Sequence, residues 1–428
     1  MEVKNGAQGL RDRIRGFFAE LGPGLITGAA DDDPSGISTY SITGAAFGFA
    51  QLWTVLFSFP LMASVQIMCA RMGIVTGRGF AANIRRRYKP WVLWSCCSML
   101  VVANTVNIGA DLAAMGESLE MMTNIRTGLW MPVVAGVIVI LLMYTSYRKI
   151  ASIFKWLTLV LFAYVISAFL ARPDWSEVLK ATVIPGIQWN AAYFSTFVAI
   201  LGTTISPYLF FWQAAQEVEE EKEHHRSTIE QRCGPNDRLL KEAQTDVLTG
   251  MGFAGFVMYF IIVTTAATLH RHGLTDIQSA KQAAEALRPL AGDFAYLLFT
   301  LGIVGTGMLG VPVLAGSAAY AVSEAMHWRG SLNDRPHVGR KFYFVVVCAV
   351  GIGLILNFAN ISAVKALYLA AVVNGVLAPP LVWIMTMLTC DASVMGRRTN
   401  SRLIKGLGYA TAVIMAVAAI AMFALLGR

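Results

Sequence analysis

Charge is what this sequence is short of. Asp, Glu, Lys and Arg make up 14% of its 428 residues, where soluble proteins carry about 25%. Cysteine is sparse as well. Of the six, Cys69, Cys96, Cys97 and Cys348 fall in apolar runs, Cys233 in a polar loop and Cys390 at a helix end. No pair has metal-finger spacing, and no disulfide framework is expected. The Met1 end lacks a short apolar core with a small-residue cleavage site, so no cleaved leader is expected either. No zinc-protease, nucleophile-elbow or phosphate-loop motif stands in a workable context, which argues against an enzyme. The run Gly302-Ile303-Val304-Gly305-Thr306-Gly307 loosely echoes a dinucleotide fingerprint. It lies inside an apolar stretch with no strand before it, and reads as close helix packing.

Apolar residues fill the gap. They are 56% of the chain and gather in runs that, as helices, can cross roughly 30 Å of hydrocarbon. Eleven candidate spans follow, at about 17–48 (interrupted), 50–70, 90–113, 128–147, 152–171, 190–216 (interrupted), 247–269, 293–324, 342–358, 362–388 and 404–426. The expectation is an all-α integral membrane protein with a single transmembrane domain over 1–428. Of 34 Lys and Arg, only Arg126, Arg172, Lys180, Arg271, Lys281, Arg288, Lys365 and Arg428 fall on the side opposite the N-terminus. That asymmetry puts the N-terminus in the cytoplasm and, with an odd number of spans, the C-terminus outside, in a multi-pass protein of the plasma (inner) membrane. It also accounts for the net charge of +8: the cations face anionic lipid and not nucleic acid. The stretch Glu217–Asp246 begins Glu-Val-Glu-Glu-Glu-Lys-Glu-His-His-Arg and reads as a solvated cytoplasmic loop. Its adjacent His224 and His225 cannot readily share one metal ion.

Two spans are broken by polar residues. The first break reads Ala30-Asp31-Asp32-Asp33-Pro34-Ser35-Gly36, the second Gly202-Thr203-Thr204-Ile205-Ser206-Pro207-Tyr208. Proline removes a backbone donor and disrupts the turn before it. Freed backbone groups cannot face lipid, so each break must line a protein cavity. Carboxylates at that depth are expensive and signal function. Asp33, directly before Pro34, is the best ligand candidate, whereas Asp31 and Asp32 are compatible with partial snorkelling toward an interface. The breaks take the same place in two consecutive sets of five spans. That points to inverted repeats at about 17–171 and 190–388, an extra helix at about 404–426, and a site at the midplane. Acids and freed carbonyls with no basic residue favour a cation.

With these two breaks the chain resembles the NRAMP divalent-metal transporters, which share the LeuT-type fold, over nearly its whole length. Typical members carry Asp-Pro-Gly-Asn in the first break and Met-Pro-His in the second, and hold the ion with Asp, Asn and Met side chains and backbone carbonyls. Here Asp33-Pro34-Ser35-Gly36 keeps the Asp and places Gly36 where Asn would be. Ser206-Pro207-Tyr208 stands where Met-Pro-His would be. A further family histidine corresponds to Gln213, and of two family acids in the third span Asp111 is kept while the other is Ala114. The pattern is similar to the NRAMP-related magnesium transporter branch, with its Asp-Pro-Ser-Gly and a Ser/Thr-rich second break.

The resemblance implies a site of Asp33, Ser35, Gly36, Ser206 and Tyr208, with Ala30 and Thr203 acting through their carbonyls; Thr204 and Tyr208 either bind water or simply satisfy the break. Asp111 is either a pathway acid or a structural partner. Asn374 either reaches the ion or its waters, or bonds a neighbouring helix. Asn104 and Asn107 read as interhelical. Losing the thioether leaves hard oxygen ligands, and small side chains leave room for a largely hydrated ion. The expected function is transport of Mg²⁺ by alternating access, with Mn²⁺ also accepted and no bound cofactor; Ca²⁺ is similarly hard. Tyr208, Gln213 and Ala114 do not titrate near neutrality, so strict proton coupling is not expected. The alternatives are a proton-coupled Mn²⁺/Fe²⁺ symporter, a cation-coupled carrier of an organic solute with the same fold, and a cation channel or receptor. The acid-rich first break offers no Gly-rich tract for a substrate carboxylate, which disfavours the organic solute.

Overall fold

A computed structural model describes residues 27–28, 30–145, 147, 149–150, 157–223, 226, 228–232, 237–356 and 362–427. Regular structure among them is helical throughout. The main helices are α1 (Pro34–Phe47), α2 (Trp53–Thr76), α3 (Phe80–Arg87), α4 (Pro90–Thr123), α5 (Thr127–Tyr144), α6 (Phe162–Leu170) and α7 (Trp175–Val183). They continue with α8 (Ala191–Thr204), α9 (Pro207–Glu223), α10 (Asp237–Thr268), α11 (Ala295–Ala325), α12 (Arg340–Leu356), α13 (Ala363–Cys390) and α14 (Arg402–Leu426).

The burial pattern is that of a protein dissolved in lipid. Leu129, Ile140, Ile355 and Ile420 are 58–68% exposed, whereas Asp31, Asp32, Asp33 and Asp111 are at most 1% exposed. In water this arrangement would be inverted; in hydrocarbon, apolar side chains face outward and polar groups turn inward. Asp31 and Asp32 therefore do not snorkel. Among the described residues, eight helical segments are long and apolar enough to cross a membrane. A ninth is added if the pair Leu159–Leu170 and Trp175–Val183, bent by 119°, counts as one span. Three expected spans are covered only in part, because residues before Thr27, 151–156 and 357–361 lie outside the described residues. The α-helices seen in them are α1, α6 and α12, of 14, 9 and 17 residues, with a 3-10 turn at Leu157–Leu161 leading into α6; each α-helix is shorter than the roughly 20 residues a crossing needs.

Several helices outrun their apolar runs. α4 continues to Thr123, where Asn124 ends it in the left-handed region at φ 57°. The stretch Glu217–Asp246 is not a solvated loop. α9 runs through it to Glu223 with Glu217, Glu219 and Glu221 only 4–6% exposed, and α10 has already begun at Asp237. Glu and Lys are good helix formers, and Lys222–Glu219 and Arg226–Glu221 pairs at 2.6 and 2.7 Å hold the end of α9. His224, His225 and Cys233 lie outside the described residues. On the polar side, Arg87 at the end of α3 bonds Asp391 just beyond α13 at 2.6 Å. That guanidinium pulls the Asp391 carboxyl down to about 2.

Small residues bring helices together. A Cβ on Gly202 of α8 would lie 2.1 Å from the Ala371 carbonyl oxygen of α13 and 2.4 Å from the Gly375 nitrogen. One on Gly375 would lie 2.3 Å from the Val198 oxygen. The two backbones touch, as small residues permit where no hydrophobic effect drives helices together. Asn104 ties α4 to α11, its Nδ2 lying 2.8 Å from both the Leu314 oxygen and Ser317 Oγ. This is the interhelical role expected for it. Because the obstruction at Gly202 is backbone, Gly202→Val is expected to destabilise the protein by about 3 kcal/mol or more, at the upper end of overpacking costs. Thermal unfolding of the detergent-solubilised protein measures this, and a melting temperature equal to wild type would disprove the close approach.

Candidate metal site

Each break leaves a carbonyl without its helical donor, and each is met by a hydroxyl. Pro34 has no N–H to offer Ala30, the residue four positions earlier. The Ala30 oxygen lies instead 3.1 Å from the Tyr208 hydroxyl, brought in from the second break. Pro207 likewise offers nothing to Thr203. Ser206 Oγ takes the place of that donor, lying 2.7 Å from the Thr203 oxygen and 2.8 Å from the Gly202 oxygen. Ile205, with φ −121° and ψ 54°, carries the bend.

Asp33 caps the half-helix that follows the first break. Its Oδ1 accepts from the Gly36 backbone N–H at 2.9 Å and from Ser35 Oγ at 2.6 Å, the standard use of an Asp before a helix. Its Oδ2 accepts from Asn107 Nδ2 at 3.1 Å and faces the Tyr208 hydroxyl at 3.4 Å. That hydroxyl has one proton, shared between Asp33 and the Ala30 oxygen. α11 runs close behind: a Cβ on Gly310 would stand 3.0 Å from Asp33 Cβ and 3.9 Å from Asp111 Oδ2. The same turn of α11 therefore backs both carboxylates.

The structure thus gathers Ala30, Asp33, Ser35, Gly36 and Tyr208, with Asp111 alongside. It turns others elsewhere. The hydroxyls of Thr203 and Ser206 bond carbonyls of α8. Asn374 is buried between Ala371 and Gly375, the residues that touch α8, and its Nδ2 has no partner among the described residues. The room expected beside Gly36 is taken by Tyr40. A Cβ on Gly36 would meet that ring at 3.3 and 3.5 Å, because Tyr40 sits one turn further on and side chains lean back toward the helix N-terminus. Tyr40 also reaches the Thr203 side chain.

Sequence reasoning missed three contributors: Asn107, Tyr40 and Gly310. Spacing hints at two of them, since Asn107 precedes Asp111 by four residues and Tyr40 follows Gly36 by four. Nothing local marks Gly310.

Chemically, the site is rich in acceptors and poor in donors. Both oxygens of Asp31, Asp32 and Asp111 lack a hydrogen-bond partner among the described residues. Buried carboxylates of this kind need a counter-charge. Yet no three of His, Cys, Asp and Glu converge tightly enough to cage an ion among the described residues. Neutral oxygens must complete any coordination.

Comparison with known proteins agrees with this chemistry. The family model described as natural resistance-associated macrophage protein-like (Nramp) matches residues 24–425. A divalent metal cation transporter, MntH of Klebsiella pneumoniae, is 26% identical over 404 residues, covering 93% of this chain and 92% of its own. The crystal structure of the Eremococcus coleocola manganese transporter with an aromatic bis-isothiourea compound superposes with a TM-score of 0.74 at 19% identity, covering 96% and 87% of the two chains. Mhp1, a nucleobase-cation-symport-1 family transporter, aligns with a TM-score of 0.57 at 15% identity over 95% and 92%.

Removing either hydroxyl strands a buried carbonyl, at about 1–3 kcal/mol. Ser206→Ala and Tyr208→Phe are each expected to lower stability by that amount in thermal unfolding. A stability unchanged in both variants would mean that the breaks are satisfied by other means.

Proposed function

The chain belongs to the Nramp family of divalent metal cation transporters, membrane proteins and not enzymes, and from that premise we propose that its cargo is Mg²⁺, with Mn²⁺ also accepted. The observation that carries this reading is the donor set around Asp33. Ser35, Asn107, Tyr208 and the Ala30 carbonyl bring hydroxyl, carboxamide and carbonyl groups to it. Among the described residues no thioether or imidazole bonds to Asp33. Hard oxygens suit Mg²⁺ and Mn²⁺, whereas a thioether would favour softer ions. In this proposal Asp33, Ser35, Tyr208 and Asp111 act through side chains and Ala30 and Gly36 through backbone, whereas Ser206 holds the Thr203 carbonyl and Asn374 lies at the contact with α8.

The finer architecture belongs to the same proposal: eleven spans in a LeuT-type arrangement, repeats at about 17–171 and 190–388, an extra helix at about 404–426, the N-terminus in the cytoplasm and the C-terminus outside. Its support is the matching treatment of the two breaks, in each of which a hydroxyl meets the stranded carbonyl, and the Lys/Arg asymmetry of the loops. Transport follows by alternating access. A divalent ion crossing 100 mV gains about 4.6 kcal/mol, twice the single-charge figure, which suffices for uptake without a proton. A second reading is a proton-coupled Mn²⁺/Fe²⁺ symporter; its choice of manganese as cargo is favoured by the name of one relative, a manganese transporter.

Uptake into proteoliposomes separates the two. We expect saturable uptake of Mg²⁺ and Mn²⁺, driven by a negative interior and reduced at least about tenfold by Asp33→Ala. Mn²⁺ uptake without Mg²⁺ would reject the cargo assignment. A second expectation concerns a pH-sensitive dye trapped in the same vesicles: it stays flat during Mg²⁺ uptake. Acidification that appears only when Mg²⁺ is added would show coupling and favour the symporter.

A further inference from the structure

Asn107 lies on α4 one turn before Asp111, and its sequence context suggests only a helix–helix contact. The structure places it against the central carboxylate. It is 0% exposed, and its Nδ2 lies 3.1 Å from Asp33 Oδ2. An ionised carboxylate only accepts hydrogen bonds, so the carboxamide must present its nitrogen there and not its oxygen. Oδ1 thereby takes the other edge of the planar carboxamide, beside Nδ2, where it meets no donor among the described residues. Four residues on, and on the same face of the helix, both oxygens of Asp111 are equally without donors. A buried acceptor without a donor is costly. Here such acceptors cluster beside Asp33, and among the described residues no Lys, Arg or His side chain bonds to Asp31, Asp32, Asp33 or Asp111. A cation is the complement this arrangement lacks.

We infer that Asn107 is a specificity-determining ligand of the transport site: its Oδ1 meets the transported ion, directly or through one water of the ion's shell. The inference rests on the reading of this chain as a divalent cation transporter. Asn107 then does two things with one side chain, steering Asp33 through Nδ2 and adding a neutral hard oxygen through Oδ1. Such an oxygen binds without adding a further negative charge to a site that already holds several carboxylates. It also biases the site against soft ions, because carboxamide oxygen is a hard ligand.

The test replaces that oxygen by sulfur. Asn107→Met presents a thioether, and Asn107→Leu has similar bulk and no ligand atom. Uptake of Mn²⁺, Mg²⁺ and Cd²⁺ is measured in proteoliposomes for wild type and both variants, after gel filtration has shown each to be monodisperse. The expected result is a Cd²⁺-to-Mn²⁺ uptake ratio at least about tenfold higher in Asn107→Met than in Asn107→Leu. Asn107→Cys, smaller and equally soft, is measured in parallel and decides the matter if the Met variant does not fold. A purely interhelical amide would change all three ions together, and equal ratios in the Met, Cys and Leu variants would overturn the inference while leaving wild-type transport intact. A wild-type protein that takes up no divalent ion would instead overturn the parent reading, and this inference with it.

Discussion

A proline inside a membrane helix withdraws one N–H and strands the carbonyl four residues earlier, in a medium that offers no water to replace it. Prolines also stand inside α2, α5, α11 and α13, but at Pro34 and Pro207 the helix itself breaks, and much of the site follows from how the groups stranded there are met. Ser206, in the break itself, answers Thr203 at the end of α8. Tyr208 answers Ala30 from across the molecule, which pins the second break onto the first. The two half-helices that result, α1 and α9, each start at a proline, and Asp33 caps the first of them.

The capping role explains why the first motif has the composition it does. Asp33 supplies the acceptor, Pro34 occupies the first helical position, where a missing N–H is harmless, Ser35 donates to the same oxygen, and Gly36 contributes its backbone N–H. One carboxylate oxygen is thus fixed by local structure. The other, Oδ2, faces Asn107 and Tyr208, residues 74 and 175 positions away. Local structure aims the side chain, and tertiary structure decides what it meets. Gly310 completes the arrangement, because any larger residue there would press on Asp33 Cβ.

This division also marks what the sequence could convey. The breaks and the place of Asp33 at the first of them were legible because each is written in consecutive residues: proline beside carboxylate inside an apolar run. Lipid exposure was legible for the same reason. Asp31 and Asp32 were misjudged as partly snorkelling, since their burial depends on the helices around them and not on neighbouring residues. The acidic stretch from Glu217 was misjudged as a loop, since polar composition does not reveal that ion pairs and packing carry α9 onward to Glu223. Asn107 was set aside because an Asn in a membrane helix usually bonds another helix, as Asn104 does, and only the position of Asp33 tells the two apart. Tyr40 filling the place beside Gly36 could be read from spacing alone, once Gly36 is seen as a gap and not merely as a missing ligand.

The Tyr208 hydroxyl joins the second break to the first, and under the proposed function this contact would also respond to the ion. Its single proton is shared between the Ala30 oxygen and Asp33 Oδ2, and these are two of the oxygens proposed to hold the ion. Under the proposed function, a divalent cation approaching them would repel that proton, and the hydroxyl would have to rotate to present its oxygen instead. The contact that joins the second break to the first then changes from a hydrogen bond into shared coordination of one ion. In this structure the two breaks meet through the tyrosine proton; under the proposed function, a bound cation would take over that contact. Either arrangement satisfies the stranded Ala30 carbonyl. An intermediate with neither proton nor ion would leave that carbonyl and the carboxylate unpaired in a low-dielectric interior. Under the proposed function the site would have two satisfied states, and exchanging one for the other would change how the two broken helices grip each other, which is the kind of differential contact that lets a ligand shift a conformational equilibrium.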